Sequence, residues 1–477
     1  MPNPAPSRQI GTLKFSETTL AIVLAFAALG TACAHYHPKP VSLSQTATAF
    51  DQRSLTNAQL QSFISSRLTN QPAPITNWNL DSLTLAAFYY HPSLQLTRAQ
   101  SQTIAAGERT ARARPNPTLS MVPGYDFSAT APANPWIPGA TIDLPIETAG
   151  KRGKRILQAQ HLAAAAQLSI TVTAWQVRSN VHVAAIEVWS ARERERLVAN
   201  EISHHSALVK LLQQRLEAGA IAANEILPIQ LTQVRLQSEL TAARTASVQA
   251  KAHLAEAIGL PVAALPDFQL DDPALRADQD ILPHAPALRE TALRQRVDLL
   301  AALERYEAAQ AGLRLEIAKQ YPDIRLGPGY QWDQGDHKWT MSISLDLPIF
   351  NQNQGPIAEA EARRAERAAE LLDIQARALN DIDRAIATVT AARQETARAR
   401  EALATLQKQS QAVAQRLSVG GADQTEVETA AIEESAATIV ALDAESRALF
   451  AEAELEAALQ APNTAVQIQN FTGLASQ

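Results

Sequence analysis

The nearest approach to a ligand-binding motif is "ETAGKRGKRI" at residues 147 to 156, where two Gly-Lys pairs could cradle phosphate within a complete P-loop. The loop is incomplete. Pro145 and Thr148 occupy the positions of the leading glycine, and Arg152 and Arg155 stand where a Ser or Thr would bind magnesium. Histidines offer metal or proton chemistry, but His204 and His205 are helix neighbours that point in different directions, and His182 and His253 are isolated in sequence. Ordinary surface polar roles are expected for all four. The single cysteine, Cys33, excludes an internal disulfide and any multi-cysteine metal site. With no nucleophile elbow or other catalytic constellation, no enzymatic activity, no cofactor and no metal site is expected.

The elements that carry these residues are mostly helices. Of 477 residues only 17 are glycine and 5% are aromatic, while Ala, Leu, Glu, Gln and Arg dominate. A net charge of -6, with no basic patch interleaved with aromatics, argues against nucleic-acid binding. From Lys154 to Leu216, and again from Ile357 to Leu417, there is neither Pro nor Gly. Each run would extend roughly 90 Å as one helix. Leu208, Leu212 and Leu216, or Ile382, Ile386 and Val389, keep the 3 and 4 spacing of a packed helical stripe.

Residues 1–33 read as a secretory leader: Arg8 and Lys14, then the apolar run from Leu20 to Gly30, then Thr31 and Ala32 before Cys33. The apolar run is too short to span a bilayer. Two processing routes fit. Cys33 becomes the lipidated first residue of a lipoprotein, or ordinary cleavage falls before Cys33 or after Ala34. "HYHPKP" at residues 35 to 40 then breaks any helix.

The chain is one unit written twice. "PNPTLSMVPGYDF" from residue 115 matches "QYPDIRLGPGYQW" from 320, placing Pro117 on Pro322 and Tyr125 on Tyr330. Asp143-Leu-Pro-Ile falls on Asp346-Leu-Pro-Ile. In turn Arg215, Gly219, Glu225 and Pro261 fall on Arg416, Gly420, Glu426 and Pro462. The implied organisation is a linker region at 34–78, a first repeat at 79–262, a second at 284–462 and a flexible tail at 463–477.

Between the helices the apolar period drops to 2. Strands are expected at about 117–127, 136–146, 322–332 and 339–349, each with one apolar face and one polar or small face. A soluble sandwich could alternate likewise. Two details favour a membrane barrel: the length matches the ~9–11 residues of a tilted membrane strand, and aromatics gather at one strand end, as Phe127 with Trp136 and Trp332 with Trp339. Four strands cannot close a barrel alone.

These features resemble the outer-membrane factor family, the TolC-like exit ducts of bacterial efflux systems, from about Asn79 to Pro462. "HPSL" at 91, "NPTL" at 116, "DLPIETAGKRGKR", "DLPIFNQNQGPIAEAEARR" and the two "RL..G" turns carry the resemblance, with "GKRGKR" and "LPIFNQNQG" most similar to the CzcC-like heavy-metal branch. The resemblance implies a mainly α fold with a small membrane β-barrel part. Four strands from each chain of a homotrimer would make a 12-stranded barrel in outer-membrane lipid, above a long periplasmic helical tunnel. A periplasmic adaptor protein and an inner-membrane RND-type pump would be the partners.

By the same resemblance the runs 218–224 and 419–425 are the tips of helical hairpins that close the periplasmic entrance and dock the adaptor, with Gly219, Gly420 and Gly421 permitting the turns. For Arg215 and Arg416, adaptor contact competes with a solvated or intrahelical ion pair. Asp143 and Asp346, on the polar strand face, either give the lumen an acidic lining that favours cations or hydrogen-bond at the strand ends. Lys151, Arg152, Lys154 and Arg155 stand at the wrong end of their helix for its dipole. A solvated charge run is the simpler expectation for them, and contact with lipid phosphates the other.

The function so implied is a passive exit duct, with heavy-metal cations as cargo. Drugs or a secreted polypeptide are alternative cargoes, and a coiled-coil envelope scaffold with small soluble sheets is the alternative of a different class.

Overall fold

The computed structural model describes residues 35–68, 74–75, 78–130, 132–266 and 285–460, so Cys33 and the tail at 463–477 lie outside the described residues. Two compact units divide the chain between Gln52 and Arg53. The first carries helix α1, Leu43–Asp51, whose first turn is capped by the Ser42 hydroxyl. No residue of α1 is buried.

The second unit starts with α2 (Ala58–Ser65), α3 (Leu80–Tyr90) and α4 (Pro92–Arg112). Strands β1 (Thr118–Met121), β2 (Gly124–Tyr125), β3 (Trp136–Ile137) and β4 (Gly139–Ile146) lead into α5 (Lys151–Glu217) and α6 (Ala223–Ile258). The order then recurs, with α7 (Ala285–Gln295), α8 (Val297–Ala318), β5 (Ile324–Asp333), β6 (Asp336–Leu345), α9 (Gln354–Ser418) and α10 (Gln424–Leu459). With 67 and 65 residues, α5 and α9 are each roughly 100 Å long, far beyond the usual globular helix. Neither can be stable on propensity alone, so each must bury a stripe along its length.

Helix α5 is the common neighbour: α3, α4, α6, α8 and α10 all pack against it. Its Val181, Ala185 and Ile186 join Leu83, Leu85 and Phe88 of α3 and Leu254 and Ile258 of α6 in one apolar cluster. Each fully buried aliphatic side chain there contributes about 1.5–3 kcal/mol. A second cluster sets Ile382, Ala385 and Val389 of α9 against Ala451 and Leu455 of α10. The alanines in these stripes let helices approach closely enough for their neighbours to interlock.

Inside the main cluster sits a buried ionic group. Arg178 of α5, 1% exposed, donates through Nε to Glu456 Oε1 of α10 at 2.8 Å, and its Nη1 lies 3.5 Å from Asp81 of α3. His182, one turn further along α5, places Nδ1 3.1 Å from Glu456 Oε2. Burial alone would raise the pKa of Glu456, but the adjacent His182 imidazole and the charge of Arg178 outweigh it and hold the carboxyl below its ordinary range.

The surface roles expected for His182 and His205 are therefore corrected: His182 belongs to this group and His205 is buried, whereas His204 pairs with Glu428 at 3.0 Å and His253 is a surface residue, exposed and paired with Glu187 at 3.2 Å. The carboxylate partners of His182, His204 and His253 come from other helices.

The basic run at the start of α5 is also not a solvated charge run. Lys151 is buried, with Nζ 2.6 Å from Tyr321 O and 2.7 Å from Asp323 Oδ1, on the approach to β5. Arg152 donates twice to Arg112 O, and Arg155 to Ala111 O and Ala113 O as well as to Glu147. These carbonyls end α4, where the backbone acceptors of a helix are unpaired and its dipole favours cations. The cations stand at the wrong end of their own helix because they serve the right end of the preceding one. In the second copy the helix starts with Asn353, which donates to Glu316 O in the last turn of α8. Gly150 and Asn353 correspond, and both adopt left-handed conformations at the helix start, with φ of +67° and +65°.

Replacing Glu456 by Ala should cost about 3 kcal/mol by leaving Arg178 short of its nearest counter-charge in the interior. Denaturant unfolding of the purified protein measures this. Because the folded Glu456 carboxyl is held below its unfolded value of about 4.3, the stabilisation is complete above that pH and fades as pH falls below it. The Glu456→Ala variant should lack that fraction of the acid sensitivity.

Candidate functional site

The strands form a four-stranded antiparallel sheet in the order β1-β4-β5-β6, with β2 and β3 as a short separate ladder. Register puts Leu119 opposite Ile142, Leu144 opposite Leu326 and Leu326 opposite Ile343, all on one face. On the other face Thr118 meets Asp143, Gly327 meets Ser342 and Arg325 meets Ser344. The apolar face is open: Leu119, Ile142, Met341 and Ile343 are all exposed. β1 and β6 each pair on one side only.

The strand expected at 117–127 is split into β1 and β2, and that at 136–146 into β3 and β4. Pro123 and Pro138 stand at the two breaks, where neither can donate to the ladder. The chain stays in line across the gap through Val122 N to Gly139 O at 2.9 Å. The strand expected at 339–349 ends early, at Leu345. In the first copy the matching Leu-Pro-Ile remains in β4 because Pro145 and Ile146 face β5, whereas β6 is an edge with no neighbour to carry it on.

Aromatic rings cluster at the hairpin end. Tyr125 packs edge-on against Phe127 and Trp136 at 4.9 and 5.1 Å, and Tyr330 packs on Trp339 at 5.0 Å.

At the opposite end the sheet meets the helices in a cleft of about 730 Å³ lined by Lys151, Arg155, Lys319, Asp323, Arg325 and Asp346 among others. Asp143 lies on the polar face as the alternation requires, but Arg325 Nη1 is 3.3 Å from its carboxylate. Asp346 stands one residue past β6. Of the two roles expected for Asp143, pairing at the strand end is the one this contact matches, and the neighbouring strand supplies a cation that spacing within one strand could not reveal.

The other candidate residues sit far along the helices, at the turns 218–222 and 419–423. Both turns have the same construction. Gly219 and Gly420 are left-handed, with φ of +68° and +74°. Ala220 N donates to Arg215 O and Gly219 N to Leu216 O, and in the second copy Gly421 N donates to Arg416 O and Gly420 N to Leu417 O. This is the Schellman arrangement of hydrogen bonds, which satisfies the last helix carbonyls and reverses the chain. Gly421 is not left-handed, and a Cβ there would meet Arg416 O at an ordinary 3.5 Å, so only the first two glycines are required by the turn.

Arg215 and Arg416 have diverged. Arg416 stays within its own hairpin, donating to Gly421 O and lying 3.3 Å from Glu426. Arg215 crosses between hairpins to Asp423 Oδ2 at 2.7 Å. Asp423 also caps α10, accepting from Thr425 N and Glu426 N. The Arg215 hydrogen bond and these amides hold its carboxyl at about 2. One helical stretch away, the His204–Glu428 pair makes another tie between α5 and α10. Asp423 was legible as a cap, since Asp-Gln-Thr-Glu before an apolar-periodic helix is a capping signature, but its partner was not.

Among the described residues there is no group of three His, Cys, Asp or Glu side chains placed to hold a metal ion, and no helix is long and apolar enough to cross a membrane. The conspicuous surfaces are a sheet with one apolar face and a pair of linked helical tips.

Comparison with known proteins identifies the family. The cobalt-zinc-cadmium resistance protein CzcC of Cupriavidus metallidurans is 26% identical over 280 residues, which span 58% of this chain and 64%, under two thirds, of that protein. Among solved structures, the outer membrane protein VceC of Vibrio cholerae matches 80% of this chain and 95% of its own length with a TM-score of 0.63 at 19% identity. The CmeC outer membrane channel of Campylobacter jejuni matches 99% and 98% with a TM-score of 0.64 at 13% identity. The model of the outer membrane efflux protein family matches twice in succession, over residues 87–260 and 288–460, one match to each copy of the structural unit. With both halves matched and the fold shared, the chain belongs to the outer membrane efflux protein family.

Proposed function

We propose that this protein is the outer-membrane exit duct of a tripartite efflux system and that its cargo is heavy-metal cations. The observation that carries the duct reading is the four-stranded sheet with an exposed apolar face and two open edges. In lipid an open edge leaves backbone groups without partners, so β6 of one chain must pair with β1 of another until the sheet closes. Three chains give twelve strands, within the range of closed bacterial barrels. The exposed face would then meet lipid, and the aromatic cluster would lie at one interface. The polar face would line a water-filled passage continued by the long helices.

In this reading the protein performs no chemistry on its cargo. An inner-membrane pump and a periplasmic adaptor deliver the cargo to the helical end. The mixed charge where the sheet meets the helices argues for weak selection there, leaving the choice of cargo to the pump. The metal cargo is supported by the similarity to a cobalt-zinc-cadmium resistance protein. Deleting the gene should lower tolerance to cobalt, zinc or cadmium salts and leave drug tolerance unchanged. Loss of drug tolerance alone would instead favour a multidrug duct. Release of the protein from membranes by carbonate, without a heat-modifiable oligomer, would refute the barrel.

We further propose that the tips gate the passage, with Arg215 and Asp423 as a latch between the two hairpins of each chain. Asp423→Asn should open it, because Asn still caps α10 but carries no charge to hold Arg215. The expected result is a higher conductance in planar bilayers at unchanged folding. Since the folded Asp423 carboxyl is depressed to about 2, the latch is complete above its unfolded value near 3.9 and is lost as pH falls toward 2. Conductance of the unmodified channel should therefore be the same at pH 7 and pH 5.

A further inference from the structure

The segment between the leader and α1 has chemistry that an exit duct does not need. Ala32-Cys33-Ala34 is the small-x-small pattern that precedes a secretory cleavage point. Cleavage after Ala34 makes His35-Tyr36-His37-Pro38 the start of the mature chain. We propose that this amino terminus is a binding site for one square-planar divalent ion, Cu(II) or Ni(II). The proposal rests on the secretory reading of the leader and is independent of the metal-cargo reading.

Four nitrogens are available in sequence: the α-amine of His35, the amide nitrogens of Tyr36 and His37, and Nδ1 of the His37 imidazole. Together they close two five-membered rings and one six-membered ring around a metal. A tetragonal set of nitrogens selects Cu(II) or Ni(II). Binding involves no redox change. The ion replaces the proton of the α-ammonium and those of the two amides, which pass to solvent, so affinity falls as pH falls.

The structure leaves His35, Tyr36 and His37 uncovered, and cleavage after Ala34 would free the α-amine. Tyr36 is 88% exposed, and His35 and His37 are exposed as well. Residues 35 to 42 form no helix or strand, and among the described residues none of the three makes a hydrogen bond. Pro38 has no N–H, so the run of ionisable amides stops at His37 and the imidazole is the natural fourth donor. Helix α1 begins only at Leu43, so the amides are not committed to a helical ladder.

The test uses the full-length gene, with its own leader, expressed in a host with a periplasm. The protein is purified from membranes in detergent, its intact mass is measured, and Cu²⁺ alone is titrated with visible absorption and electron paramagnetic resonance as readouts. The expected result is a mature chain beginning at His35 that keeps one equivalent of copper through gel filtration, with a four-nitrogen square-planar spectrum. His37→Ala should lose that equivalent and His35→Ala should keep it, because the first side chain is not a donor. Both residues are exposed and outside regular structure, so neither change should affect folding.

A mature chain that begins at Met1 would overturn the proposal through the leader reading. A chain that begins at Cys33, lipidated or not, would overturn it through the processing site. A chain that begins at His35 but binds no stoichiometric copper, or binds it equally as His37→Ala, would overturn the site itself.

Discussion

The buried contact of Arg178 with Glu456 and Asp81 joins three helices that are far apart in sequence. One guanidinium on α5 meets a carboxylate from the end of α10 and another from the start of α3. Such a group is costly to desolvate, and it stabilises little beyond what an apolar core would give. Its effect is to define register. A stripe of alanines and leucines on a helix roughly 100 Å long could slide by a heptad with modest loss, whereas a buried charge must find its partner. With α5 so fixed against α10 and α3, the other helices that pack along α5 inherit its position.

Both ends of the long helices depend on that register. At one end, the Lys151 tie to Asp323 and the Arg152 and Arg155 bonds to the end of α4 attach α5 to the segments that lead into β5 and β1. At the other end, Arg215 can reach Asp423 only if the two hairpins terminate at the same height.

The two copies show how duplicated sequence can diverge without altering the unit. The left-handed start of the long helix is supplied by Gly150 in one copy and Asn353 in the other, the two residue types for which that conformation costs least. The task of satisfying the preceding helix end passes from two arginines to the Asn353 amide. The contrast between "GKRGKR" and "NQNQG" is therefore two solutions to one backbone problem.

The sequence alone determined the elements that follow from periodicity and punctuation. Unbroken runs of helix formers gave the long helices, alternation gave the two faces of each strand, and paired glycines gave the turns at the tips, because each of these depends on neighbours within a few residues. It also disclosed the duplication, since similarity between distant segments needs no structure to be seen. Tertiary structure decided what each charge does. Lys151 and His182 read locally as surface groups, and Arg215 and Asp143 as residues with two possible roles each, and each has a partner on an element far away in the chain. The energy of an ion depends on its burial and on charges within a few ångströms, and one-dimensional spacing contains neither quantity.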